Sequence, residues 1–260
     1  MEENPWFINF ESVRKKDNIF ALEVDLKQLS ERKKEHHFNF TLFPEPFIGN
    51  PNAPIYLLNL NPAIDELIDL EDPCEIFPLK ERLKEHIICN SVFYKGNISE
   101  LNCEALQSFP FYHLDPHYKY FQGFWWWYKK LKKLVEEIRN SGKSVFESLE
   151  MVSNSIFNVE FLPYHSRYYV EIGCELPSQQ FNFKLVRNAL NEGKIIVVMK
   201  GKDRWFKTIP ELKTSNNVFT LKSARNSVIS PNNLTSPSSK ENENHETIFH
   251  HIVERIRNTT

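Results

Sequence analysis

Four stretches of the chain are short, apolar, and rich in β-branched or aromatic residues, with a polar break at each end. They are Ile55–Leu60, Ser155–Leu162, Lys194–Lys200 and Asn217–Ser223. Such runs predict strands buried on both faces rather than strands with one wet side. Between them the period changes. Trp127, Leu131, Leu134, Val135 and Ile138 recur every three or four residues, which predicts an amphipathic helix. FKLVRNALNEG predicts a second helix, with Gly193 as its stop. Strands alternating with helices imply an α/β fold, here a three-layer α/β/α sandwich around a mainly parallel four-stranded sheet. The expected core spans about 44–235 of a single 1–260 domain. A polar linker over 236–245 and a last helix over 246–258 follow it.

Ligands of parallel sheets gather beyond the carboxyl ends of the strands. The residues there are polar in every case. Asn59-Leu-Asn61-Pro-Ala63 follows the first strand, and Asn158 to Ser166 lies within and after the second. Gly201-Lys-Asp-Arg-Trp205 follows the third, and Ala224 to Asn233 follows the fourth. No P-loop, no G-x-G-x-x-G and no metal triad accompanies them. His113 and His117 have ligand spacing only on a helix, and Pro116 between them argues against one. Cys74, Cys89, Cys103 and Cys174 are scattered without a C-x-x-C pair, so free thiols are expected and no metal or other cofactor.

Charge sharpens the picture. The net charge is only −2, but residues 181–225 carry ten Lys/Arg against three acids, while 65–75 carry six acids and no base. That asymmetry fits one phosphate-facing side. In WWWYKK (125–130), core packing is expected for one tryptophan face, and an exposed aromatic beside Lys129 and Lys130 would suit nucleic acid. No apolar run reaches the roughly 20 residues of a membrane span, and MEENPWFINFESVRKK lacks the basic-then-apolar pattern expected of a signal sequence. A cytoplasmic protein with no membrane partner is therefore expected.

PEPFIGNPNAPIYLLNLNPA (44–63), FPFYHLDPH (109–117), FNVEFLPYHS (157–166) and SARNSVISPNNL (223–234) together resemble the uracil-DNA glycosylase superfamily. The resemblance covers about residues 44–235 and implies that superfamily's fold and DNA as partner; the sequence does not fix the oligomeric state, with a monomer the favoured expectation. It further implies excision of a flipped base without a cofactor, leaving an abasic site. By this likeness Asn61 positions the attacking water, Asn158 reads the base, and Ser223, Arg225, Asn226 and Ser230 belong to a loop that clamps DNA. Lys202 and Arg204, in the basic stretch after the third strand, are further expected DNA contacts. Asp65 is a candidate base, and His165 a candidate donor to the leaving group. Phe77, Phe111 and Tyr112 are candidates to stack on the extruded nucleotide.

The chemistry fits these residue types. Breaking an N-glycosidic bond builds oxocarbenium-like charge on the sugar, so an oriented water and donors to the departing base matter more than a strong nucleophile. Asn59 stands where the superfamily has glycine, which implies a base pocket remodelled for something other than uracil. Some members excise hypermodified bases from phage DNA in anti-phage defence, and a hypermodified cytosine is one such substrate. Uracil excision in repair, and a non-catalytic nucleic-acid- or nucleotide-binding module, are the alternatives.

Overall fold

The computed structural model describes residues 4–8, 20–63, 108–223, 225–237 and 245–259. Among these residues six strands form one mixed sheet: β1 (Phe47–Gly49), β2 (Ile55–Asn59), β3 (Ile156–Glu160), β4 (Ile195–Val198), β5 (Val218–Leu221) and β6 (Leu234–Thr235). Their order is β1-β3-β2-β4-β5-β6. The four strands read from sequence are the parallel centre, since β2 runs parallel to β3 and β4, and β4 to β5. The expected four-stranded sheet is therefore corrected to six. Short antiparallel strands pair onto each edge, β1 on β3 and β6 on β5. Three and two residues are too few to show a periodicity; backbone pairing alone defines them.

Besides a four-residue helix at Pro5–Ile8, six helices among the described residues accompany the sheet: α1 (Glu23–Glu31), α2 (Gln122–Asn140), α3 (Val145–Ser155), α4 (Pro177–Asn191), α5 (Lys202–Thr208) and α6 (His245–Arg257). The apolar stripe of α2 is buried as its period predicts, from Trp127 to Ile138. A reciprocal cap starts α3, with Ser144 Oγ accepting from the Glu147 amide and Glu147 Oε2 accepting from the Ser144 amide at 2.8 Å. The expected strand at Ser155 begins one residue later, because Ser155 ends α3 with its hydroxyl on the Met151 carbonyl. Pro177 opens α4, and Gly193 beyond its end has φ +68°. α4 packs on β3 and β4, while α2, α3 and α6 pack on one another.

Every residue of β2, β3 and β4 is buried, so the sheet is covered on both faces. Alternation then divides the side chains of β3. Phe157 and Phe161 point to the α4 side, where the Phe47 ring meets both Phe157 and Phe181, and Phe161 meets Phe183. Asn158 and Glu160 point to the opposite face. Leu57 and Asn59 of β2 share that face, being the register partners of Asn158 and Glu160. No helix among the described residues is long and apolar enough to cross a membrane.

Candidate functional site

Parallel strands bring the polar segments after β2, β3 and β4 to one edge of the sheet. Pro62 turns the chain just beyond β2, and the segment after β3 folds back onto that turn. The Ser166 amide donates to the Pro62 carbonyl at 3.3 Å. Half-buried Asn61 lies within this clasp. Its Nδ2 donates to Ser166 Oγ at 3.0 Å, the Ser166 carbonyl at 3.2 Å and the Pro62 carbonyl at 3.0 Å. Ser166 Oγ in turn donates to the Tyr168 carbonyl at 2.7 Å, which fixes the polarity of these linked hydrogen bonds. Two of the three groups around Nδ2 are carbonyls, which only accept, so the amide has one orientation. Asn61 Oδ1 is left without a hydrogen-bond partner among the described residues. A fixed amide with an open carbonyl oxygen is suited to hold a water by one of its protons.

Beneath it runs a buried chain of amides and acid. Asn59 Nδ2 donates to Asn158 Oδ1, and Asn158 Nδ2 donates to Glu160 Oε1, both at 2.8 Å. Asn158 thus spends both ends of its amide inside the protein. Asn59 Oδ1 and Glu160 Oε2 have no hydrogen-bond partner among the described residues; both are buried and lie on register-paired residues of the same face. Burial pushes the Glu160 carboxyl up to about 8, and the nearby Glu45 charge adds to this against the opposing pull of Asn158 and Lys200. At neutral pH it is a carboxylic acid, an O–H donor beside an amide acceptor.

Glu45 behaves in the opposite way. Burial raises it, but the hydrogen bond from His113, the charges of His165 and His113, and the Tyr112 hydroxyl outweigh burial and bring it below the usual glutamate value. Tyr112 Oη donates to Glu45 Oε2 at 2.7 Å, and the Nε2 atoms of His113 and His165 stand 3.5 and 3.4 Å from its oxygens. Two buried carboxyls at one strand edge are therefore set to different states, an arrangement typical of sites with divided acid and anion roles.

The other residues expected from sequence divide clearly. Asp65 and Phe77 lie outside the described residues. His165, the expected donor to the leaving base, is buried with both ring nitrogens against backbone carbonyls. Its Nδ1 meets the Ala63 carbonyl at 2.6 Å and its Nε2 the Phe43 carbonyl at 2.9 Å, so it buckles the Asn61 turn to the chain before β1. Phe111 and Tyr112 are wholly buried; Phe111 packs edge-on against Trp127 and Tyr112 is tied to Glu45, so neither presents a ring face for stacking. Asn158 and Asn59 are brought together, but as partners of each other.

The expected DNA contacts also separate. Arg204 is paired to Glu171 through Nε at 3.1 Å and lies 4.2 Å over the Tyr169 ring. It lines a cleft of about 600 Å³ with Phe161, Glu171, Glu175, Asp203 and Lys207, whose mixed charges do not single out phosphate. Neither Asn61 nor Asn158 lines that cleft. Lys202 is exposed, with its ammonium 5.7 Å from the Phe206 ring. The loop after β5 is built around Asn233, whose side chain accepts from the Ser223 amide and donates to the Asn226 and Val228 carbonyls. Ser223 Oγ accepts from the Asn226 amide, Arg225 is exposed, and Ser230 closes the turn through its carbonyl.

Glu45, Glu160 and Ser166 were missed by sequence reasoning. Glu160 carried a signal: an acid two residues after Asn158, alternating with apolar residues, has to share the buried face of Asn158. Among the described residues no group of three or more His, Cys, Asp or Glu is placed to hold a metal ion. The chain matches no family model, no curated protein and no solved structure.

Proposed function

We propose that this chain is a DNA glycosylase that hydrolyses the N-glycosidic bond of a flipped, modified base and leaves an abasic site. The observation that carries the reading is Asn61, whose NH₂ is locked by Ser166 and Pro62 while Oδ1 stays open at the carboxyl edge of the sheet. In the reaction the bond from C1′ to the base nitrogen breaks, and the base departs with the electron pair. The water held by Asn61 Oδ1 bonds to C1′, and its proton passes to the departing base or to Asp65. An asparagine cannot accept that proton, so its contribution is orientation. Protonated Glu160 and the acceptor Asn59 Oδ1 lie buried beneath the Asn61 turn, and they stabilise the leaving base once the flipped nucleotide displaces what covers them. A donor next to an acceptor complements the Watson–Crick edge of a pyrimidine, cytosine-type through N3 and N4, or uracil through O4 and N3. A hypermodified cytosine of phage DNA is the favoured substrate and uracil the alternative.

The test is direct. DNA duplexes and single strands containing uracil, hydroxymethylcytosine or glucosylated hydroxymethylcytosine are incubated with the protein, then treated with alkali to cut abasic sites. Strand cleavage with at least one modified substrate, lost in Asn61→Ala, supports the reading. Intact strands with every substrate, alongside measured DNA binding, contradict it.

A non-catalytic nucleic-acid- or nucleotide-binding module is the second reading. It is favoured by His165, whose ring nitrogens are both engaged with carbonyls, and by Asn158, whose amide is spent internally. A binder has no turnover for Asn61→Ala to remove.

A further inference from the structure

We propose that Lys130 and Lys200, set against the Trp126 ring, form a binding site for a phosphodiester phosphate of the nucleic acid. The two ammonium groups lie 5.1 and 5.2 Å from the Trp126 centroid. They are therefore within about 10 Å of each other, roughly one Debye length at 0.1 M salt. Lys130 lies in the middle of α2 and is only 7% exposed, an uncommon placement for a lysine without a counter-charge. Neither lysine forms an ion pair with a carboxylate among the described residues. Burial, with the adjacent charges of Lys200 and Lys129, holds the Lys130 ammonium below its ordinary lysine value. Two cations crowded on one ring, with no described acid paired to either, are matched by an anion.

Its location suits a nucleic-acid backbone. Lys200 lies two residues past the end of β4 at the carboxyl edge, near enough to Glu160 for its charge to act on that carboxyl. The amide of Ile229 donates to the Lys130 carbonyl at 2.9 Å, which ties the loop after β5 to the same turn of α2. A phosphodiester offers two non-bridging oxygens to the pair, and lysine binds phosphate as a point charge without needing a fixed fork. The inference deepens the glycosylase reading by naming groups that grip the DNA backbone, and its binding test does not depend on excision.

Lys130→Met, Lys200→Met and the double variant are compared with the wild type, with folding checked by circular dichroism. Binding of a labelled single-stranded oligonucleotide is followed by anisotropy from about 50 to about 200 mM NaCl. The double variant is expected to bind about tenfold more weakly at low salt, with a salt slope shallower by about 1. Inorganic phosphate should raise the melting temperature of the wild type above that in NaCl of equal ionic strength, and should not do so in the double variant. Unchanged slope and unchanged phosphate stabilisation overturn the proposal. If Lys130→Met fails to fold, Lys200→Met, which alters a residue outside the helices, decides the question by the same two readouts. Nucleoside monophosphate binding as tightly as the oligonucleotide would assign the site to free nucleotides and overturn the phosphodiester claim. A wild type that binds DNA through these lysines without excising any base sinks the glycosylase reading alone. Excision at the wild-type rate by the double variant on DNA well below saturation sinks the phosphate site alone.

Discussion

Replacing Glu160 by glutamine isolates the buried acid. Folded Glu160 keeps its proton up to about pH 8, whereas the unfolded chain releases it near 4.5. In that window the folded state binds more protons, so its stability falls as pH rises. The contribution is whole below 4.5 and gone once the pH has passed about 8. Each pH unit is worth about 1.4 kcal/mol, giving on the order of 5 kcal/mol across the window. Glutamine carries no such dependence. Its carbonyl takes the Oε1 position, where Asn158 donates, and its NH₂ takes the unpartnered Oε2 position. The variant should therefore match the wild type near pH 5 and exceed it increasingly toward pH 8. Urea unfolding of both proteins at each pH measures this. Asp25, also raised by burial, tilts both curves alike and cancels in the difference. A stability difference that is the same at pH 5 and pH 9 would refute an acid held neutral by burial.

Ser166→Ala removes one of three acceptors from the Asn61 amide, and should cost about 1 kcal/mol in urea unfolding. In the excision assay it should lower turnover far more than DNA affinity. Tyr112→Phe takes the hydroxyl from buried, ionised Glu45 and should cost about 1.5–3 kcal/mol at neutral pH. Because Glu45 is depressed, the stability it gains as an anion is present above pH 4.5 and lost as pH falls through its folded value, so the cost of Tyr112→Phe should shrink in acid. Gly201→Ala places a methyl at φ +71°, with its carbon 2.2 Å from Leu60 Cδ2. The left-handed backbone alone costs about 1–2 kcal/mol, and Leu60 has to swing aside next to Asn61. Leu60→Ala in the same chain should relieve the clash but not the backbone cost, as paired unfolding curves would reveal.

The central fold was legible because β2, β3, β4 and β5 are buried along nearly their whole length and so read as apolar runs of strand length. β1 and β6 were not, since their place depends on pairing with residues more than ten positions away. At the site, Asn61 and its turn followed from a polar break after a strand. Its clasp did not, because Ser166 is 105 residues distant and a serine carries no periodic signal. Asn158 was found but its role was not. Whether an amide faces a ligand or a neighbouring Asn59 is decided by three-dimensional register, here the pairing of Leu57 with Asn158 and of Asn59 with Glu160. Lys130 sits at the border of the apolar stripe of α2, next to Trp127, Leu131 and Leu134, where a pattern of apolar positions alone leaves a lysine on the solvent side.

The proposed function rests on Asn61 orienting a water for base excision. Abasic-site formation on DNA carrying glucosylated hydroxymethylcytosine, hydroxymethylcytosine or uracil, compared between the wild type and Asn61→Ala at matched DNA occupancy, probes that role without an intermediary. Strand cleavage after alkali is expected with a modified cytosine, and turnover should be lower by at least about a hundredfold in Asn61→Ala with DNA affinity retained. Equal turnover in both proteins, or no abasic sites on any substrate while DNA is bound, would show that Asn61 does not hold the attacking water.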